Sequence, residues 1–151
     1  MEMETVAKGE RTEELVRAVA AVWEASIRPT HLFLAESDID ELRPQVRQAL
    51  SAVDTLVVAF DDAGKPVGFL GVEGDMIEML FVSPELFGAG VGRRLLNYAT
   101  KTLGARRLDV NEGNPGARGF YEHMGFAVVG RSEIDGQGRP FPLLHMELQD
   151  E

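Results

Sequence analysis

The 151 residues contain no cysteine, which excludes disulfides, thiolate metal ligands and cysteine nucleophiles. Histidine is scarce: His31, His123 and His145 stand far apart, too few for an imidazole metal site, so no metal is expected. Aromatic residues make up only 7%, with one Trp and two Tyr. No apolar run approaches the ~20 residues a membrane span requires, and no signal-peptide pattern opens the sequence. A cytoplasmic location without a membrane partner is the expectation. Positive charge is short as well, with 15 Lys and Arg against 25 Asp and Glu, a net charge of −10. That balance argues against a nucleic-acid partner, whose phosphates call for a basic face.

What remains is the composition of an ordinary globular protein, 44% hydrophobic and 26% charged. No repeat or linker interrupts it, so residues 1–151 are expected to form a single domain. A chain of this length buries roughly 68–70% of its unfolded surface. The charge is unevenly placed. Residues 1–92 hold 17 acids and 7 bases, whereas residues 93–151 hold 8 of each. Six bases (Arg93, Arg94, Lys101, Arg106, Arg107, Arg118) fall within residues 93–118, against Asp109 and Glu112. One reading is a solvated surface. The other is a basic half-site for an anion and an acidic one for a cation.

Periodicity predicts a short strand around Thr5–Ala7, then a helix capped by Thr12 that ends before Pro29. A second helix is expected from a Ser37 cap, kinked at Pro44 or starting there. Three strands follow, Leu56–Phe60, Pro66–Glu73 and Met76–Val82, as an antiparallel meander. Residues 84–92 read as a loop, Arg93–Leu103 as a helix and Arg107–Val110 as a strand. Asn114-Pro115 starts another helix that stops at Gly125. Phe126–Glu133 and Pro142–Leu148 complete an α/β pattern with a mixed sheet.

The segment Gly88-Ala89-Gly90-Val91-Gly92-Arg93 lies between a strand and a helix, where backbone N–H groups face an anion. A P-loop needs Lys-Ser/Thr after its last glycine, and Arg93-Arg94 stands there. A dinucleotide fingerprint needs a third glycine three residues after the second, at the position of Arg93, and it belongs after the first strand of a βαβ unit. Neither nucleotide reading fits. The pyrophosphate of coenzyme A is the third possibility.

At this point the residues resemble a family. Met79-Leu80-Phe81-Val82-Ser83-Pro84, Gly88 to Gly92 and Leu95-Leu96 resemble motif A of the GNAT superfamily of acetyl-coenzyme-A-dependent N-acetyltransferases. Asn114 and Gly119-Phe120-Tyr121-Glu122-His123-Met124-Gly125-Phe126 are similar to its motif B. Thr30-His31-Leu32-Phe33-Leu34 and the tail 130–144 further resemble the bacterial YjaB-type subgroup. The resemblance implies a mixed, mostly antiparallel sheet of six to seven strands flanked by about four helices. It also implies acetyl-CoA as co-substrate, an amine acceptor and direct transfer, and it allows a homodimer. The family usually places Arg or Gln where Phe87 stands.

By the same resemblance, Leu80, Phe81, Val82, Phe87, Gly88, Ala89, Gly90, Val91, Gly92, Arg93, Asn114 and Tyr121 would meet the cofactor. Acetyl transfer needs an acid for the departing thiolate, and a phenol near ~10 stays protonated where a thiol near ~8.5 begins to ionise. Tyr121 is the expected acid. Glu78, flanked by apolar residues on an expected strand, is the expected base, with partial burial raising its pKa; a water chain is the other reading. His31, Phe33 and His145 are expected on the acceptor side, where the acidic front of the chain would favour a cationic amine. A coenzyme-binding sensor of the same fold without turnover remains a second reading.

Overall fold

In the computed structural model, which describes residues 1–150, Thr12 opens the first helix, its Oγ1 accepting the Leu15 N–H at 3.2 Å. Two glutamates follow in the first turn, and α1 (Glu13–Thr30) turns Val16, Val19, Ala20, Trp23 and Ile27 inward. The helix does not stop before Pro29 as expected. In the last turn a proline forfeits only its own bond to the Ala25 carbonyl. Thr30 Oγ1 donates to Ser26 O at 2.8 Å and the His31 N–H to Ile27 O at 2.7 Å, so the turn closes around it.

The second helix, α2 (Glu36–Ala52), also departs from expectation. Its cap is Ala35, whose N–H donates to Asp38 Oδ2 at 2.8 Å, which leaves Ser37 inside the first turn. The helix runs through Pro44, and Ile39 and Leu50, buried on either side of that proline, hold it to the core.

The chain divides into two compact units, Met1–Ala105 and Arg106–Glu151. The first contains β1 (Glu2–Thr5), β2 (Thr55–Phe60), β3 (Pro66–Glu73) and β4 (Met76–Val82), each antiparallel to the next. The first strand lies ahead of the expected Thr5–Ala7. One face of this sheet carries Leu56, Val58 and Phe69, packed with Trp23, Ile27 and Leu50 of α1 and α2. The other face receives α3 (Val91–Lys101): a Cβ on Gly68 would lie 3.1 Å from Val91 Cγ1 and 3.3 Å from Leu95 Cδ1. Glycine at this position lets the start of α3 lie directly on β3.

The β3–β4 ladder contains a bulge. Val72 opposes Ile77 but Gly71 opposes Met79, so Glu78 is an extra residue. In an unbroken ladder Glu78 would oppose Gly71 on the face of Phe69, a carboxylate against the apolar core. The bulge expels it, and Met79 takes that place, its Cε 2.7 Å from where a Cβ on Gly71 would stand.

The second unit contains β5 (Arg107–Asn111), α4 (Pro115–His123), β6 (Phe126–Ser132) and β7 (Leu143–Leu148). Strand β7 pairs antiparallel with both β5 and β6. Leu108, Val110, Leu144, Met146 and Phe126 line its buried face, and α4 lies on that face, with Tyr121 edge-on to Phe126 at 6.0 Å. A second bulge interrupts β6. Val128 opposes Met146 but Gly130 opposes His145, which leaves Val129 extra.

Arg11 ties the first unit together. Its Nε donates to Val6 O (3.0 Å), its Nη1 to Leu50 O (3.1 Å) and Val53 O (2.6 Å), and its Nη2 to Asp54 O (3.3 Å). One guanidinium thus satisfies carbonyls just after β1, at the end of α2 and in the segment entering β2. Several charge-assisted bonds are lost together in Arg11→Met, which should lower the unfolding free energy by about 2–3 kcal/mol in urea titration. A loss below about 0.5 kcal/mol would mean that water replaces the guanidinium without cost.

A second prediction concerns pH. Burial holds the half-buried His31 imidazole well below its ordinary 6.5, at about 4. The unfolded chain therefore binds more protons between those values. The stability His31 contributes is full above pH 6.5 and is lost as pH falls toward about 4. Urea midpoints of His31→Phe should fall less steeply over that window than those of the parent chain. Identical slopes would assign the acid sensitivity to other groups.

Candidate active site

The first unit supplies a built anion cradle. Ser83 is buried and its N–H donates to Val67 O at 2.8 Å, which anchors the exit of β4 to β3. A single 3-10 turn, Pro84–Leu86, follows, closed by the Phe87 N–H on Pro84 O at 3.1 Å. Gly88 and Gly90 then adopt left-handed backbone at φ +82° and +89°, a region that other residues enter only with strain.

Gly90 caps α3, and the first intrahelical bond runs from the Arg94 N–H to Gly90 O at 3.1 Å. The helix therefore starts at Val91, two residues before the expected Arg93. The N–H groups of Val91, Gly92 and Arg93 have no acceptor within the helix. No acid stands in that first turn, and Arg93 and Arg94 occupy it instead. A positive helix end with free donors, two arginines and no acid in its first turn is suited to an anion. Phe87, half-exposed beside this turn, contributes its backbone and an apolar ring.

The preceding strand, β4, leads into that cradle. Leu80 and Val82 oppose Leu70 and Gly68 on the face that carries α3, while Met79 and Phe81 oppose Gly71 and Phe69 on the face of α1 and α2. The rings of Phe69 and Phe81 lie 5.6 Å apart. Glu78 is exposed at the bulge. The partial burial expected for it is absent, because the extra residue takes it out of the alternation.

The second unit supplies the buried phenol. Asn114 Oδ1 accepts the Ala117 N–H at 3.3 Å and Pro115 takes the first helical position, so α4 begins as its sequence predicts. Tyr121 lies in its last turn, 5.4 Å from the ring of Phe120 and 6.0 Å from that of Phe126. Burial pushes its phenol far above the ordinary range, so it is protonated at every physiological pH. Its hydroxyl makes no hydrogen bond to any other described residue.

The expected acceptor residues fall into separate places. His31 follows α1 directly, its Nδ1 2.8 Å from Thr30 Oγ1 and its ring 5.4 Å from that of Phe33. His145 lies on β7, on the face of the second unit's sheet opposite Tyr121. Both of its ring nitrogens are engaged, Nδ1 with Asp109 and Nε2 with Ser132. Sequence reasoning missed those two partners. Asp109 alternates with buried Leu108 and Val110, a signal that places it on the outer face of β5. Ser132 gave no signal, because its face is set by the bulge at Val129. Among the described residues no cluster of metal-ligating side chains forms, and no helix is long and apolar enough to cross a membrane.

Comparison with known proteins agrees with this geometry. Residues 52–128 match the family model described as an acetyltransferase (GNAT) domain. The peptidyl-lysine N-acetyltransferase YjaB of Escherichia coli (strain K12) is 41% identical over 137 residues, spanning 91% of this chain and 90% of that protein. The solution structure of apo-form YjaB from Escherichia coli superposes on the whole of both chains with a TM-score of 0.85 and 35% identity. An aminoglycoside 6'-N-acetyltransferase solved in complex with coenzyme A shares the fold at 18% identity, with a TM-score of 0.62 over 97% of this chain and 95% of that one. With the glycine cradle and the buried tyrosine on their expected elements, this chain belongs to the GNAT family and is an N-acetyltransferase.

Proposed function

We propose that the chain transfers an acetyl group from acetyl-CoA to the side-chain amine of a lysine in a protein or peptide. The observation that carries this reading is the left-handed Gly90 heading α3, with the next three N–H groups unpaired and no acid in the turn. That donor set fits a pyrophosphate. The peptide class of the acceptor is supported by the name of the YjaB relative, a peptidyl-lysine N-acetyltransferase. The excess of acids in residues 1–92 favours a cationic side chain such as lysine.

Acetyl-CoA supplies the acetyl group as a thioester, activated toward an amine. The residues of the chain bind, orient and move protons. The N–H groups of Val91, Gly92 and Arg93 hold the pyrophosphate, with the Arg93 and Arg94 guanidinium groups neutralising its charge. The backbone of Leu80, Phe81 and Val82 offers a strand edge to the extended pantetheine arm. Tyr121 donates its phenolic proton as the thiolate departs, and its burial keeps that proton in place beforehand. A lysine amine, near ~10.4 in water, arrives protonated and must lose a proton first. Glu78, exposed at its bulge, receives that proton directly or through water. His31 and Phe33, their rings tilted against each other after α1, present a neutral, partly apolar surface to the stem of the acceptor. No cysteine is present to carry an acetyl-enzyme, and the acetyl group passes directly from the thioester to the amine.

Mass spectrometry of lysine peptides incubated with the protein and acetyl-CoA tests the reaction. Tyr121→Phe should lower kcat about 100-fold with coenzyme A affinity unchanged, since only the donated proton is lost. An unaltered kcat would remove the acid role. Gly90→Ala forces a side chain into left-handed backbone, at a cost of about 1–1.4 kcal/mol. It should therefore raise KM for acetyl-CoA about fivefold to tenfold and leave KM for the peptide unchanged. An unchanged KM for acetyl-CoA would place the pyrophosphate elsewhere.

A further inference from the structure

The second unit carries another constellation, which the acetyl transfer leaves unused. Asp109 on β5 lies directly across the ladder from His145 on β7, its Oδ1 2.6 Å from Nδ1 of the imidazole. The opposite ring nitrogen, Nε2, lies 2.6 Å from Ser132 Oγ on β6. An ionised carboxylate can only accept hydrogen bonds, so Nδ1 carries a proton, and in the neutral imidazole Nε2 then turns its lone pair to the serine hydroxyl. Carboxylate, imidazole and hydroxyl in this order are the arrangement that makes a serine nucleophilic, and it is recognised by geometry rather than by order along the chain.

Three features of the fold hold the arrangement. In an unbroken ladder Ser132 would share the buried face with Val128. The extra residue Val129 reverses the alternation, so Ser132 opposes Leu143 and joins His145 on the outer face. Gly130 stands opposite His145, and a Cβ there would touch the ring at 3.4 Å, so the imidazole packs beside bare backbone. Both nitrogens are pinned, which fixes the ring. Ser132 is itself only partly buried, and the His145 and Asp109 side chains keep 37% and 34% of their surface in solvent, so the constellation opens to small reagents.

We propose that Ser132 is a second, nucleophilic site that takes acyl groups from small activated esters, with His145 as its base and Asp109 as the positioning residue. Ser132 Oγ bonds to the acyl carbon as its proton passes to Nε2. The bond from that carbon to the leaving oxygen breaks, the leaving alcohol takes the proton from His145, and an O-acyl serine remains. Water then attacks the same carbon as its proton passes to His145, the bond from that carbon to Ser132 Oγ breaks, Oγ takes the proton back from Nε2, and the carboxylic acid and free Ser132 result. The site is separate from the acetyl-CoA reading and stands or falls without it.

The test uses the full chain with p-nitrophenyl acetate and no coenzyme A. A burst of about one equivalent of p-nitrophenol per chain is expected, with the acetyl group located on Ser132 by peptide mass spectrometry. Ser132→Ala should abolish both. Asp109→Asn, which favours the wrong tautomer of His145, should slow the burst at least about tenfold with the thermal unfolding midpoint unchanged, and Asp109→Glu should restore part of the rate. Thermal unfolding of each variant separates lost chemistry from lost folding. Acetyl groups found only on lysines or the N-terminus, or an undiminished burst in Asp109→Asn, would overturn the proposal.

Discussion

One extra residue in a strand turns every later side chain to the other face of the sheet, and much of this molecule depends on two of the three such insertions in its ladders. At Glu78 the bulge keeps a carboxylate out of the apolar face and lets Met79 fill its place. From there on, Phe81 meets Phe69 on the face of α1 and α2, and Leu80 and Val82 turn toward α3. At Val129 the second bulge moves Ser132 from the buried face to the side of His145. Each bulge gives up a pair of ladder positions. In return it sorts polar from apolar side chains where a strict alternation would mix them.

The cradle at the start of α3 depends on a different constraint, the absence of two side chains. Gly68 has none to separate β3 from the first turn of the helix, so Val91 and Leu95 seat directly on the sheet. Gly90 has none to resist φ +89°, so the chain can reverse into the helix with its N–H groups outward. Packing and electrostatics act together here. Burial of Val91 and Leu95 fixes the helix, and the fixed helix aims its unpaired donors and positive end. Two arginines in a first turn weaken a helix through its dipole, and no acid stands beside them to offset the charge. Tyr121 is the converse case. Burial of its ring raises the pKa of the hydroxyl, so the phenol keeps its proton at physiological pH.

The helix boundaries that differed from expectation differ for identifiable reasons. Pro29 read as a stop and Pro44 as a kink or a start, but a last-turn proline costs one bond, and the burial of Ile39 and Leu50 on either side of Pro44 holds one continuous helix to the core. Ser37 read as a cap because its type is favoured there, yet the Asp38 carboxylate reached back to the N–H of Ala35 first. Glu78 read as a half-buried base because period two placed it mid-strand among apolar neighbours. The ladder makes it an exposed bulge residue.

The sequence by itself determined the element order, the glycine cradle, the Asn114-Pro115 helix start and the place of Tyr121 on that helix. All of these are encoded in short stretches whose physics is local: capping, positive φ, and the periodicity of apolar residues. The tertiary structure alone decided which strand residues share a face and which polar groups meet. Asp109, Ser132 and His145 lie on three strands, far apart along the chain, and come together through ladder register and one unpaired residue. Register is a property of two strands at once, and an insertion of one residue has no signature in the alternation of either strand alone.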